Sequence, residues 1–216
     1  MILLALDTAA GDCTAALYDS GQDRLLSSVV ETIGKGHAER LMAVIDQALD
    51  EAGLTLDVVE KIAVTVGPGS FTGIRVGVAA ARGFALALGI EAVGVSTLAV
   101  IGLAGKEAHS GKPVLAAIDA RRGEIYAELF SATGEAMTAP LLLSHEQAAS
   151  LAGESGAVVV GSARALLVEG AEPQADRYPP LFIARLGVGE TALAPSPLYL
   201  RGPDAKPQMG FAVARA

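Results

Sequence analysis

The sequence predicts an α/β protein of two lobes with related topology, each lobe a mixed sheet flanked by helices. Three observations carry that expectation. The chain opens as strand, acidic turn and strand: an apolar run over 2–6 stops at Asp7, the turn Thr8-Ala9-Ala10-Gly11-Asp12 follows, and a second apolar run covers 13–18. The same order returns at a constant offset of 112, with Asp119 over Asp7, Gly123 over Gly11, Glu124 over Asp12, Ala127 over Ala15, Leu129 over Leu17 and Phe130 over Tyr18. In addition, Val158-Val159-Val160-Gly161 resembles Val64-Thr65-Val66-Gly67, so each half also holds a strand that ends on glycine. Self-similarity at a fixed offset marks a repeated architecture.

The remaining elements follow in order. Asp19-Ser20-Gly21 turns the chain into a third strand over 24–31. Beyond Gly34-Lys35-Gly36-His37, the residues Leu41, Val44, Ile45, Ala48, Leu49 and Ala52 recur at helical spacing, with Gly53 as C-cap. A connector over 56–60 precedes the most informative stretch, 62–89. There a β-branched and apolar run, 62–66, meets Gly67-Pro68-Gly69-Ser70-Phe71-Thr72-Gly73, and a nearly uncharged helix continues to Gly89. Ser70 and Thr72 both qualify as its N-cap. A strand over 92–95 and a helix over 97–107 complete a first lobe, residues 1–105. The second lobe, 106–216, is expected to be smaller: a hairpin over 114–130, the strand near 158 and a proline-rich tail. In that tail Pro179-Pro180, Pro195, Pro197 and Pro203 favour extended segments and turns, and 181–186 suits one more helix. The tail is expected to wrap back on the body.

Composition narrows the function classes. Of 216 residues, 51% are hydrophobic but only 4% aromatic, so the core must be built from Ala, Leu, Val and Ile. A net charge of −8 argues against nucleic acid or an anionic membrane as an unaided partner. The single cysteine, Cys13, has no partner for an internal disulfide, which suits a reducing compartment, and it sits inside a strand as a buried thiol would. The N-terminus lacks a basic segment and its apolar run is short. No apolar stretch of bilayer length is clear of glycine and charge. A cytoplasmic protein with no membrane partner is expected.

Small residues recur every fourth position after the Gly-Pro-Gly turn: Gly73, Gly77, Ala81, Ala85 and Gly89. Positions four apart stack on a helix, so they outline a shallow groove, and only Arg75 and Arg82 charge the helix. Mid-helix glycines cost about 1 kcal/mol each relative to alanine, which calls for a gain from close approach. Two explanations remain open at this point. Either the groove packs on the chain's own sheet, or it docks a second subunit, with Leu41, Ile45 and Leu49 of the preceding helix widening the contact.

The two hairpins, each with an aspartate ending its first strand, resemble the actin, sugar kinase and Hsp70 superfamily. There, hairpin amides cradle the phosphates of ATP between lobes and the aspartates bind magnesium or act as base. That resemblance makes Asp7, Thr8 and Asp119 a vestigial nucleotide site, with the small residues Ala9, Ala10 and Gly11 suited to phosphate approach. The second hairpin departs from it, with Ala120-Arg121-Arg122 where a cradle prefers small residues. The alternative for both aspartates is turn formation at a strand end. The 67–73 stretch is no P-loop, since no Gly-Lys-Ser/Thr ends it. His37, His109 and His145 are widely separated and offer no ready metal pair.

Five stretches together resemble one family: Leu4-Ala5-Leu6-Asp7-Thr8, Gly67-Pro68-Gly69-Ser70-Phe71-Thr72-Gly73-Ile74-Arg75, Gly94-Val95-Ser96-Thr97-Leu98, the run from Ile118 through Arg121-Arg122 to Tyr126, and Pro197-Leu198-Tyr199-Leu200-Arg201. The sequence is identified on them as a member of the TsaB (YeaZ) family, the bacterial partner subunit in making N6-threonylcarbamoyladenosine in tRNA. The resemblance implies an actin-like (ribonuclease H-like) fold without catalysis of its own. It implies pairing with a TsaD-like catalytic subunit, whose His-x-x-x-His metal pair this sequence lacks, and with a TsaE-like ATPase. It further implies a homodimer when alone, contact with tRNA only through the complex, and no required cofactor beyond residual ATP or ADP binding. The family's pairing surface lies on the first-lobe helices, here 37–52 and 73–89. Labels that call relatives glycoproteases find no support in these residues. A second function class stays open: an ATP-dependent small-molecule kinase of the same superfamily, using Asp7 and Asp119.

Overall fold

Strands buried on both faces read as continuous apolar runs, and that is how the central strands of the first sheet are built in a computed structural model of the chain, which describes residues 1–189 and 192–201. Strands β1 (Ile2–Asp7), β2 (Asp12–Asp19) and β3 (Arg24–Thr32) form an antiparallel meander. On the other side of β1 lie β4 (Lys61–Gly67) and β5 (Glu91–Ser96), both parallel, giving the order β3-β2-β1-β4-β5. Helices α1 (His37–Ala52) and α2 (Phe71–Leu88) touch each other and cover one face. Ser70 is the N-cap of α2, its hydroxyl accepting from the Gly73 amide, and Gly89 closes the helix in the left-handed conformation.

The second sheet repeats the plan one strand short. Strands β6 (Val114–Arg121), β7 (Glu124–Phe130), β8 (Leu141–Ser144) and β9 (Val158–Val160) are ordered β8-β7-β6-β9, with only β9 parallel. Helices α4 (His145–Ser155) and α5 (Arg164–Leu167) pack on its outer face over Leu115, Ile125, Ala127 and Leu129. Helix α3 (Thr97–Ala108) lies against the inner face, and Gly102 is seated beneath the Phe130 ring. Gly67 ends β4 and Gly161 directly follows β9, both with φ near 100° (102° and 100°), a conformation that favours glycine at the two matched positions.

Two expectations shift. In the second hairpin a bulge between Asp119 and Arg121 slips β7 by one residue. Ala117 faces Ala127 where Ala5 faces Ala16, so Ala127 takes the place of Ala16 rather than Ala15. The tail also leaves the second lobe. Helix α6 (Pro180–Val188) packs on the first sheet opposite α2, with Gly187 against Ala63 and Leu3, and Leu193 bridges to Gly94 on β5. Helix α3 spans the expected boundary at 105/106. Pro203 and the rest of the tail beyond Arg201 lie outside the described residues.

Candidate site in the interlobe cleft

The turns of both hairpins face one cleft of about 1440 Å³ between the lobes. Ala9, Ala10 and Gly11 enter from the first turn, and Asp119, Ala120 and Arg121 from the second. The head of α2 supplies Ser70, Phe71 and Arg75, and the C-terminal segment supplies Tyr199 and Arg201. Stretches far apart in sequence thus converge on one cavity.

Asp7 and Thr8 do not line it. The Asp7 carboxylate is buried (1% exposed), accepting from the Thr65 hydroxyl at 2.6 Å and from the Ala9 amide at 3.0 Å. Burial outweighs these bonds and pushes its pKa up to about 6. The buried Thr8 hydroxyl donates to the Gly73 carbonyl at 2.7 Å, and the Ser70 amide donates to the Ala9 carbonyl at 2.7 Å. The first turn is therefore bolted to the loop that starts α2. A Cβ on Gly73 would lie 1.9 Å from the Thr8 carbonyl oxygen, and one on Gly77 would lie 2.5 Å from the Thr8 hydroxyl and 3.2 Å from Val64. Close approach within the chain is what these glycines serve.

Asp119 does face the cleft. Its Oδ1 accepts the Arg121 amide at 2.8 Å, repeating the Asp7–Ala9 turn, and its Oδ2 pairs with the Arg121 guanidinium at 3.0 Å. Its own amide donates to the Ser162 hydroxyl, which donates to Asp176 at 2.7 Å, and burial raises the Asp176 carboxyl. Of the expected nucleotide trio only Asp119 is accessible from the cleft, and Arg121 occupies both of its oxygens. Both aspartates make the turn that strand-ending aspartates make. No group of three or more potential metal ligands occurs among the described residues.

The expected groove of small residues is turned inward. Leu41, Ile45, Leu49, Gly73, Gly77 and Ala81 are buried in the chain's own core, Ala85 is half-exposed, and Gly89, past the helix end, is exposed. Those positions take the own-sheet explanation, and the helix pair instead presents its outer face. On α2 that face carries Phe71 (55% exposed), Arg75, Ala79, Arg82 and Leu86 (86% exposed); on α1 it carries Glu39, Met42, Asp46 and Asp50. Helix α2 is long and apolar enough by length and composition to cross a membrane; it carries Arg75 and Arg82 and packs on β4.

The model of the family described as TsaD, tRNA N6-adenosine threonylcarbamoyltransferase, matches residues 26–165. The Haemophilus influenzae tRNA threonylcarbamoyladenosine biosynthesis protein TsaB is 37% identical over 126 residues, 58% of this chain and 52% of that protein. A Pseudomonas aeruginosa crystal structure, described as an uncharacterized protein with similarity to peptidase YeaZ, superposes with a TM-score of 0.78 at 31% identity, over 93% of this chain and 99% of that one. The chain belongs to the TsaB (YeaZ) family. A structure of YeaZ itself from P. aeruginosa gives a TM-score of 0.75 at 29% identity, over 92% and 99% of the two chains. This TsaB-family chain spans about half the length of the curated TsaB relatives that head the comparison.

Sequence reasoning missed part of this site. Ser162 follows the matched glycine Gly161 and stood in view, but Asp176 lies in a stretch without periodicity. The pairing of Arg75 with Tyr199, Nε to hydroxyl at 2.8 Å, joins two of the TsaB stretches 124 residues apart, and a single sequence holds no signal for it.

Proposed function

We propose that this chain is the partner subunit of the machinery that forms N6-threonylcarbamoyladenosine in tRNA, without catalysis of its own. It pairs with a TsaD-like catalytic subunit, a TsaE-like ATPase joins them, and tRNA is met only through the complex, in the cytoplasm. The observation that carries this reading is an exchange of roles. Asp7 and Thr8, where a kinase of this architecture would need accessible polar groups, are sealed and internally bonded, while the outer face of the helix pair leaves Met42 and Leu86 open to solvent. Exposed apolar patches rimmed by charge are typical of interaction sites. Alone, the chain pairs with a second copy through the same face. The acidic groups of α1 and the arginines of α2 then meet their opposites across a two-fold axis, as a self-complementary interface requires.

The test is co-purification with the TsaD-family subunit of the same organism, with Leu86→Asp and Arg82→Glu in the chain. Both are expected to weaken association while thermal stability holds, Leu86→Asp by at least tenfold if it is a buried anchor. Undiminished pairing by both variants, or phosphotransfer by the purified chain alone, would overturn the proposal.

A further inference from the structure

The described residues 192–201 form a strap along one side of the interlobe cleft. Its first part belongs to the first lobe. Leu193 exchanges two backbone hydrogen bonds with Gly94 (2.7 and 2.8 Å), and the Leu198 amide donates to the Val66 carbonyl at 2.8 Å. The Tyr199 ring packs on Phe71 with centroids 5.4 Å apart, and its hydroxyl accepts from Arg75, whose guanidinium lies 3.6 Å above the Phe71 ring. At Arg201 the contacts change lobe. Its guanidinium pairs with Glu124 and reaches the Arg121 carbonyl, both on the turn of the second hairpin. Leu198, Tyr199, Leu200 and Arg201 all line the cleft.

The two ends differ in kind. The first-lobe end is tied by backbone bonds and stacked rings. The second-lobe end reaches across through side-chain bonds of Arg201, among them an ion pair whose members are 23% and 41% exposed, and pairs so exposed are weak and screened by salt. We propose that the strap is a latch on the interlobe cleft. It travels with the first lobe, and the cleft opens when Arg201 releases the second hairpin turn.

The experiment places spin labels at Asp57→Cys on the first lobe and Ala149→Cys on the second, both exposed positions, in the full chain carrying Cys13→Ala. Glu124→Gln is expected to add a second, longer interlobe distance to the single distance of the parent, and molar salt to do the same to the parent. Amide exchange at Leu198 should stay as slow as in the parent, because the strap remains on the first lobe. Tyr199→Phe, which keeps the Glu124 pair, should leave the distance unchanged. An unaltered distance in both Glu124→Gln and molar salt overturns the latch. So does opening by Tyr199→Phe alone, and so does loss of Leu198 protection in Glu124→Gln, which would mean that the strap melts rather than lets go at one end.

Discussion

Replacing Gly77 by alanine sets helix propensity against packing, and the structure decides which wins. Alanine in a helix interior is favoured over glycine by about 1 kcal/mol. The added Cβ, however, would stand 2.5 Å from the Thr8 hydroxyl oxygen and 3.2 Å from Val64. Thr8 is fully buried and donates that hydroxyl to the Gly73 carbonyl, so moving it aside breaks a bond worth about 1 kcal/mol. Overpacking a filled core adds about 1–3 kcal/mol. The balance is a loss of about 1–3 kcal/mol. Gly83, on the same helix, has nothing among the described residues beyond its own helix backbone within 4 Å of its would-be Cβ, so Gly83→Ala should gain about 0.5–1 kcal/mol. Urea unfolding of both variants, compared at constant m, reads the difference. Equal stabilisation by the two alanines would refute the reasoning and return the small-residue stripe to the status of an open groove.

Other outcomes follow from single groups. Glu128 is buried, one carboxylate oxygen has no partner among the described residues, and desolvation raises its pKa from 4.5 to about 7. Between those values the folded state holds the extra proton, so stability should rise as pH falls from about 7 to about 4.5. Glu128→Gln should flatten the slope between about pH 7 and 6, leave below that the share from Asp7, whose pKa is about 6, and add about 1–3 kcal/mol at alkaline pH, measured by unfolding across the pH range. Ser144 and Gln147 form a reciprocal capping box at the start of α4, so Ser144→Ala should cost about 1 kcal/mol in the same assay.

The hairpins, the glycine-ended strands and α1 through α3 were legible because their signals are local: alternation or continuity of apolar residues, helical spacing, and glycine after a helix. The repeat at offset 112 located the second sheet, but the bulge at Asp119 hid a one-residue slip that no pattern of apolar residues reports. Strand β8 and helix α4 were not anticipated, although Ser144-x-x-Gln147 with Gly156 beyond was a usable signal. The stripe from Gly73 to Ala85 was visible, but its direction was not, since a small residue suits a neighbour from the same chain or from another. The cleft itself depends on contacts such as Arg75 with Tyr199 and Arg201 with Glu124, which only tertiary structure brings together.

The return of α6 to the first sheet has a consequence for synthesis. Chains emerge from the ribosome N-terminus first and usually fold domain by domain, yet the β1–β4 face stays uncovered until residues 180–188 arrive. Until then Leu3 and Ala63 lack the backbone that Gly187 lays over them, and Arg185 cannot join Asp23 of the β2–β3 turn to Glu107 of α3. The first lobe is finished last, so a nascent or truncated chain ending before α6 leaves the apolar sheet face under that helix bare.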